Sequence, residues 1–509
     1  MDRPDGTAYL ADRKLAPRSL GRVLVLGLGK SGRACVEYLR ALLGTRVEAL
    51  AVAAGASTPE AQAWAEGQAC EGLRVAFDHE DIEGSYDLCI ASPGISERSA
   101  FYRSAAAHSA EVVSEVEFAW RESAADAVWV AITGTNGKTT TTALTAHLLK
   151  EAGFAADAVG NIGDCCIEAV AAGRTQVYVA EVSSYQLAST RRFAPQAAVM
   201  LNITPDHLSW HGSHEAYVAA KQKLLANLGS VPGAVAVLDA VDGTVRGMVR
   251  ALKALPDAER GFAYVPVGAK GGIGCDMRAM CGSANAAFLD EEAPDGGMLH
   301  VALGGCDHAL VSAADLAIKG AHNVGNALAA AAAALAVGAS PDAVRAGLRS
   351  FAALEHRIEP AGAVGGVECY NDSKATNVDA VLVALRAFVP RKPIVLLGGR
   401  DKGTDLAPLV AACEADAAAV VLFGESHDRF SEAFCGTSPC ACGACPPILH
   451  AAHLADALDA ALGIAAPGDV VLLSPACASF DEFSSFEERG CAFKALVAER
   501  AASGPGKRA

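Results

Sequence analysis

A glycine-containing loop of the kind that binds phosphate lies at residues 133–140. Its sequence, TGTNGKTT, follows the apolar segment 128–132 and precedes a helical pattern. At a strand-to-helix junction, backbone N–H groups and the helix dipole can surround an anion. Lys138 would reach the terminal phosphates of a nucleotide, and the Thr139 hydroxyl would face a magnesium ion. Because Ile132 stands where the common GxxxxGK[ST] pattern has its first glycine, a glycine turn with an incidental lysine is the alternative.

Acidic and imidazole side chains follow the next predicted strands. Glu181 comes directly after the apolar run 177–180, and His207 follows the strand predicted at 197–202. Lys221 comes soon afterwards in a helical segment. Since ligand sites of α/β proteins collect at the carboxyl ends of parallel strands, these residues predict a shared metal and phosphate site. A solvated strand end for Glu181 and a structural role for His207 are the alternatives.

Three polar segments in the last third of the chain are also candidates for binding loops, and the second and third follow predicted strands. They are NDSKATN at 371–377, GGRDK at 398–402 and SPACAS at 474–479. The first concentrates donors and acceptors between apolar runs, which favours a binding loop. The cations of the second could fix a carboxylate. A solvated turn is the alternative for the second segment, and a capping serine is the alternative for the third.

A second glycine loop, GLGKSG, lies near the N-terminus at 27–32, between the apolar run 23–26 and a helical pattern. A dinucleotide site would also need an acidic residue at the end of the second strand. Glu48 has nearly the right spacing, but it lies inside the strand predicted at 47–53. The loop is therefore weak evidence for NAD, and a different phosphate-bearing ligand stays open.

Three series of alternating strands and helices must position these loops. The alternation predicts an α/β protein, and a length of 509 residues suggests about three domains. We expect three α/β domains, at 1–124, at 125–353 and at 354–509, with a mostly parallel sheet in the second. The stretch 267–297 is rich in Gly, Ala and acidic residues, and we expect an irregular insertion there.

Composition narrows the function classes. A formal net charge of −16 argues against nucleic-acid binding, because phosphate contacts depend on clustered cations. There is no apolar run of membrane-spanning length and no secretory signal, so we expect no membrane association and a cytoplasmic protein. We also expect a monomer. Most of the 16 cysteines stand singly, as in a reducing compartment. The run Cys435, Cys440, Cys442 and Cys445 lacks paired zinc-knuckle spacing, which favours a variable surface loop over a metal site.

The order of the short motifs resembles the Mur ligase family. TGTNGKTT, EVSSYQL, NITPDHL, YVAAK, GAHNVGN, LEHRIE, NDSKATN, LLGGRDKG and LSPACASFDEF follow one another from residue 133 to residue 486. NDSKATN and SPACASFDEF resemble the glutamate-adding members in particular, and the N-terminal glycine loop and the SPGI segment agree with this. The resemblance implies an N-terminal Rossmann-like domain for the UDP end of the substrate, a central P-loop-type ATPase domain, and a C-terminal Rossmann-like domain that binds ATP and the incoming amino acid.

The resemblance also implies roles for individual residues. Catalysis is implied for Lys138, Glu181, His207 and Lys221. ATP contacts are implied for Gly134, Thr135, Asn136, Gly137, Lys138, Thr139, Thr140, Asn326, His356, Arg357, Asp372 and Lys374. Substrate contacts are implied for Ser92, Gly94, Asn161, Ser183, Gln186, His207, Lys374, Thr376, Lys402, Ser479 and Phe486. Magnesium ligation is implied for Thr139, Glu181, His207 and Lys221, with Lys221 carbamylated by CO2.

The reaction that the resemblance implies is ATP-dependent addition of D-glutamate to UDP-N-acetylmuramoyl-L-alanine, a step of peptidoglycan precursor synthesis that serves cell shape and division. Because a carboxylate is a poor electrophile, ATP would first convert it to an acyl phosphate, which the glutamate amine would attack. The alternatives are a Mur-type ligase for L-glutamate or another amino acid, and a non-catalytic nucleotide-binding relative. The chain departs from the family at 53–55, where AAG replaces an Asp-Thr-Arg-like segment that serves the uridine.

Overall fold

The computed structural model describes residues 8–268, 283–294, 296–318, 320–352, 355–401, 403–435 and 446–503. These residues form three β-sheets flanked by helices, so the predicted α/β class is confirmed. They divide into two compact units. The first unit contains the chain up to Leu316 together with Asn323–Phe351, and the second contains Ala317–His322 and the chain from Ala352 onwards. The predicted domain limits at 124/125 and 353/354 stay predictions.

The first sheet lies in the first unit, and all of its strands are parallel, in the order β3-β2-β1-β4-β5. The segment Val23–Leu26 is buried on both faces, as expected for a parallel sheet covered by helices. The strands are β1 Gly21–Leu26, β2 Val47–Ala53, β3 Leu73–Ala76, β4 Leu88–Ala91 and β5 Val112–Ser114. The helices are α1 Lys30–Arg40, α2 Pro59–Gln68, α3 Ala100–Ala107 and α4 Glu115–Glu122.

The second sheet, also in the first unit, has the order β14-β13-β12-β11-β10-β9-β6-β8-β7. Its strands are β6 Val128–Thr133, β7 Ala156–Gly160, β8 Val177–Glu181, β9 Ala197–Met200, β10 Val235–Asp239, β11 Ala263–Gly268, β12 Ala286–Asp290, β13 Met298–Leu303 and β14 Cys306–Ser312. The helices are α5 Lys138–Glu151, α6 Cys166–Ala172, α7 Ser184–Ala188, α8 Leu208–His211, α9 His214–Gln222, α10 Gly243–Ala254, α11 Asp257–Arg260, α12 Ala321–Ala336 and α13 Pro341–Ser350.

The edge of the second sheet corrects one prediction. β12 pairs in parallel with β11 and antiparallel with β13, so the chain from 286 to 290 is a regular strand and not part of an irregular insertion. Its apolar residues Ala286 and Ala287 are fully buried, which the high glycine content of the surrounding stretch concealed. Residues 269–282 of the same stretch lie outside the described residues.

The third sheet makes up the second unit, with the order β15-β16-β20-β17-β18-β19. Only β15 is antiparallel to its neighbour among the described strands of this sheet. The strands are β15 Glu359–Val364, β16 Val367–Asn371, β17 Ile394–Gly398, β18 Ala419–Phe423, β19 Ile448–His450 and β20 Val470–Ala476. The helices are α14 Val378–Ala387, α15 Ala407–Asp416, α16 His427–Cys435, α17 Leu454–Ile464 and α18 Phe486–Ser503.

Parallel pairing places the predicted loops at common sheet edges. Ile132 lies opposite Glu181, and Thr133 lies opposite Met200, so three loops of the second sheet leave the same edge. In the third sheet, Asn371 lies opposite Leu473 in the same way. Of the helices that the structure describes, none combines the length and the apolar character needed to cross a membrane.

Candidate active site

The loop at 133–140 joins β6 to α5, as predicted. Gly137 has a φ of +84°, and a Cβ placed there would lie 2.5 Å from Oδ1 of Asn326 on α12. Gly134 has a φ of +157°, and its Cβ would lie 2.7 Å from the Leu201 side chain. Both positions therefore require glycine. The loop and Asn326 are thus brought together, and the ATP contacts of both stay predictions.

The amino group of Lys138 folds back over the loop. It donates to the carbonyl oxygens of Gly134 at 3.0 Å and Thr135 at 2.8 Å, and Thr139 and Thr140 are buried behind it at the start of α5. The phosphate contact predicted for Lys138 would require its amino group to leave these carbonyl oxygens.

Glu181, at the end of β8, is 2% exposed. Its Oε1 accepts a hydrogen bond from Asn161 Nδ2 at 3.0 Å. Its Oε2 is buried and has no hydrogen-bond partner among the described residues. A buried carboxylate oxygen without a partner is costly, and magnesium prefers oxygen ligands. The residues present therefore fit a bound divalent cation at this position.

Lys221, on α9, is 1% exposed. Its Nζ donates to Gly134 O at 2.8 Å and to Thr133 Oγ1 at 3.3 Å, and lies 4.7 Å from the centre of the Tyr217 ring. Burial lowers the pKa of Lys221 well below its usual value, and the charge of Lys138 lowers it further, whereas the carboxylates of Asp206 and Glu181 raise it. Polar, aromatic and charged groups from four chain segments thus surround the amino group of Lys221.

His207 caps the N-terminus of α8 in a left-handed conformation, with a φ of +53°. This conformation is uncommon for residues other than glycine and clusters at functional sites. The centre of the imidazole ring lies 4.7 Å from the centre of the Tyr185 ring, and its Nε2 lies 3.4 Å from Asp206 Oδ2. Burial lowers the pKa of the neighbouring His211 to about 4, with the charges of His207 and Lys221 adding to the effect.

Two pairs of predicted substrate residues occupy separate loops of the first unit. Ser183 and Gln186 form a reciprocal capping box at the start of α7, with the Ser183 amide donating to Gln186 Oε1 at 2.8 Å. Ser92 follows β4 and donates from Oγ to Gly27 O at 3.2 Å, which puts it beside the glycine loop after β1. Gly94 is exposed next to it.

In the second unit, the loop after β16 carries the predicted ATP residues. Asp372 is buried and accepts from Ser474 Oγ at 2.7 Å and from the Ile358 amide at 3.3 Å. Burial raises the pKa of Asp372 to about 7, while the Ser474 hydrogen bond and the Arg357 charge oppose the rise. His356 is buried in the same cluster, with its Nδ1 2.9 Å from Asn371 Nδ2.

The predicted amino-acid pocket shares these strand ends. The Lys374 amino group lies 5.1 Å from the centre of the Phe486 ring, a cation–π distance. The Thr376 amide donates to Lys374 O at 2.8 Å, and Ser479 is buried in the loop after β20. Lys402 lies outside the described residues, as do Cys440, Cys442 and Cys445.

Two protein-family models match parts of this chain. Residues 132–255 match the Mur ligase middle domain, and residues 356–477 match the Mur ligase, glutamate ligase domain. A UDP-N-acetylmuramoylalanine–D-glutamate ligase of Myxococcus xanthus is 39% identical over 94% of this chain and 98% of its own length. A protein of the same description from Pelotomaculum thermopropionicum is 36% identical over 94% of this chain and 97% of its own length. The chain belongs to the Mur ligase family.

Solved Mur ligase structures share the fold. MurF ligase from Thermotoga maritima, in complex with ADP, has a TM-score of 0.55 at 15% identity and covers 96% of this chain and 97% of its own. UDP-N-acetylmuramate–alanine ligase MurC from the same organism has a TM-score of 0.53 at 18% identity, with coverages of 95% and 99%. Mur ligases use ATP and magnesium, and this chain is an ATP-dependent ligase.

The structure of this Mur ligase also shows two residues that sequence reasoning missed. Asn202 braces the phosphate loop, since its Oδ1 accepts from the Asn136 amide at 2.9 Å and its Nδ2 donates to Asn136 O at 3.2 Å. Asn202 lies two residues after the end of β9, and this position near a strand end could have identified it from the sequence. Arg489, on α18, is 1% exposed and donates to Ser373 Oγ at 2.9 Å, Ser373 O at 2.9 Å and Cys477 O at 3.1 Å. No local pattern in the sequence distinguishes it from an exposed helical arginine.

Proposed function

We propose that this Mur ligase adds D-glutamate to UDP-N-acetylmuramoyl-L-alanine, with ATP as the energy source, in peptidoglycan precursor synthesis. The observation that carries the proposal is the cluster of Lys138, Glu181 and Lys221 at one sheet edge, in a chain whose relatives with this described activity align over 94% of its length. A cytoplasmic location and action as a monomer are part of the proposal, as are the three domains at 1–124, 125–353 and 354–509.

The proposed reaction joins a carboxylate to an amine. The γ-phosphoryl group passes from ATP to the alanyl carboxylate, which gives an acyl phosphate and ADP. The amine of D-glutamate then attacks the acyl carbon and loses a proton, the bond to the phosphate oxygen breaks, and phosphate leaves. Lys138 and the loop amides stabilise negative charge on the phosphoryl oxygens during the transfer.

Thr139, Glu181, His207 and Lys221 are the proposed magnesium ligands. When bound, magnesium supplies charge neutralisation at the phosphate oxygens. The buried Oε2 of Glu181, which has no partner among the described residues, supports this role for Glu181. Asn161, Ser183, Gln186 and His207 are the proposed contacts of the muramoyl substrate, and Ser92 and Gly94 are proposed for its UDP end.

The remaining proposed contacts follow from the second unit and from the helix beside the phosphate loop. Asn326, His356, Arg357, Asp372 and Lys374 are assigned to ATP, together with residues 134–140. Lys374, Thr376, Lys402, Ser479 and Phe486 are assigned to D-glutamate. Lys374 is placed in both groups because its ammonium can pair with a phosphate or with a carboxylate.

We also propose that Lys221 reacts with CO2 to form a carbamate. The neutral amine attacks the carbon of CO2, a C–N bond forms and one proton is released, which turns a cation into a carboxylate-like magnesium ligand. The burial of Lys221 supports this, because a low pKa provides the neutral amine that the attack needs. The Lys221→Ala variant should be inactive, and short carboxylic acids should restore turnover. Full activity of that variant would refute the carbamate.

Phosphate release measured with purified enzyme tests the proposed function. Release should require ATP, UDP-N-acetylmuramoyl-L-alanine and D-glutamate together. The Lys138→Met variant should be inactive, whereas Lys150→Met, which removes an exposed cation at the far end of the same helix, should match the wild type. Turnover with L-glutamate but not D-glutamate would favour the first alternative, and no release with any amino acid would favour a non-catalytic relative.

A further inference from the structure

The N-terminus of α6 is held by a side chain of α4, a helix beside the first sheet. Glu115, the first residue of α4, is 2% exposed, and its Oε1 accepts from the Ile167 amide at 2.7 Å. The Cys166 amide also bonds to this carboxylate. A carboxylate at a helix N-terminus satisfies amides that have no partner within the helix. Glu115 therefore fixes the start of α6 from outside the second sheet.

A side chain of α1, another helix beside the first sheet, holds the loop that precedes α6. Lys30, the first residue of α1, donates from Nζ to Gly163 O at 2.6 Å. Gly163 has a φ of +65°, and a Cβ there would lie 2.8 Å from Ala158 O, so the loop turns tightly against β7. The loop at 160–165 is thus held by Lys30 in its middle and by Glu115 at its end.

This loop carries Asn161 to the metal-binding edge of the second sheet. The Asn161 amide donates to Glu181 O at 3.0 Å, while its Nδ2 donates to Glu181 Oε1 at 3.0 Å. Within the loop, the Gly160 amide donates to Asp164 O at 2.9 Å. Any shift of the loop therefore moves the Asn161 side chain relative to the carboxylate of Glu181.

We propose that Glu115 and Lys30 are positioning residues that hold the loop 160–165 so that Asn161 faces the muramoyl substrate beside Glu181. The inference rests on the proposed function, because that function assigns Asn161 to the substrate. Neither residue touches a reacting atom. Their effect comes from restricting the loop, since a side chain displaced by about 1 Å can lose much of its contribution to substrate orientation.

The chemistry of Glu115 supports a role beyond packing. Burial raises the pKa of Glu115 to about 7, and the nearby Glu168 raises it as well, whereas the two amides and the Lys30 charge lower it. An apolar side chain would fill the same space without this desolvation cost. What the carboxylate adds is the pair of hydrogen bonds to the start of α6.

Steady-state kinetics of two Glu115 variants test the proposal. Glu115→Ala should raise the KM for UDP-N-acetylmuramoyl-L-alanine about tenfold and change the KM for ATP less than about twofold, because the phosphate loop is untouched. Glu115→Gln should restore most of the affinity, since its amide oxygen can still accept from the Ile167 amide.

The matched control is Glu122→Ala on the same helix. Glu122 is fully buried, and its carboxylate bonds to Arg46 at 2.6 and 2.8 Å and to Tyr38 at 2.9 Å, so none of these hydrogen bonds involves α6. Its replacement should lower the melting temperature and leave every KM unchanged. An equal rise in KM for the Glu122 and Glu115 alanine variants would show a general loss of structure and overturn the positioning role.

Lys30→Met provides a test that does not depend on a buried substitution. The variant should raise the KM for the same substrate about threefold through loss of one charge-assisted hydrogen bond. Arg40→Met, at the exposed other end of α1, should have no effect. If the wild type is inert with these substrates, the proposed function falls. If the wild type is active and both Glu115→Ala and Lys30→Met keep its KM, the positioning role falls alone.

Discussion

The buried carboxylate of Glu115 makes a prediction about stability that is separate from its kinetic role. In the folded protein, burial raises the pKa of this group from 4.5 to about 7. Below pH 4.5 the group is protonated in both the folded and the unfolded chain. As the pH rises through this window, the unfolded chain loses the proton first, so the free energy of unfolding decreases until the pH passes the folded pKa.

The size of the effect follows from the two pKa values. A difference between 4.5 and about 7 corresponds to about 3 kcal/mol of stability, present below the window and absent above it. Glutamine at position 115 does not titrate and escapes this loss. For the first compact unit, which contains Glu115, about 3 kcal/mol corresponds to a difference of about 4 °C in melting temperature.

Calorimetric melting of wild type and Glu115→Gln from pH 4 to pH 8 measures the effect. The glutamine variant also loses the hydrogen bond to one amide, which shifts its melting temperature by the same amount at every pH. The informative quantity is therefore the change with pH in the difference between the two melting temperatures. That difference should rise in favour of the variant by about 4 °C across the range. Parallel curves would refute the claim that this carboxylate is buried at an energetic cost.

Three further substitutions probe the site. Gly137→Ala should raise the KM for ATP at least about tenfold, because the new methyl group would lie 2.5 Å from Oδ1 of Asn326 and alanine disfavours the left-handed backbone at this position. An unchanged KM would contradict the close approach of Asn326 to the phosphate loop. Asn202→Ala should also raise the KM for ATP, because it removes both hydrogen bonds to the phosphate loop, and nucleotide titration checks this. Arg489→Lys should lower kcat/KM for D-glutamate about tenfold, because an ammonium cannot reproduce the planar fork on Ser373 and Cys477; wild-type values would exclude its bracing role.

Much of the fold could be predicted because strand ends have strong local signals. The apolar segments at 128–132 and 177–180, predicted as strands, lie within β6 and β8. Both are short, apolar and rich in β-branched residues, and that pattern is typical of strands covered on both faces. β12 was missed because its five residues stand within a stretch where glycine and acidic residues dominate the composition.

The loop residues of the site could be predicted for the same reason, while their supports could not. Lys138 and Glu181 follow recognisable strands, so parallel pairing alone brings them to one edge. Glu115 and Arg489 act over sequence separations of 52 and 116 residues, and most of their partners are backbone groups. A backbone partner leaves no residue type in the sequence to recognise, so only the folded chain reveals these contacts.

The proposed chemistry has a direct isotopic test. UDP-N-acetylmuramoyl-L-alanine labelled with 18O in both oxygens of the alanyl carboxylate is turned over with ATP and D-glutamate, and the released phosphate is examined by mass spectrometry. Phosphoryl transfer to the carboxylate predicts one 18O atom in each phosphate, because the oxygen that bridges carbon and phosphorus leaves with the phosphate. Unlabelled phosphate, released while the amide product accumulates, would contradict the acyl phosphate and with it the role assigned to this site.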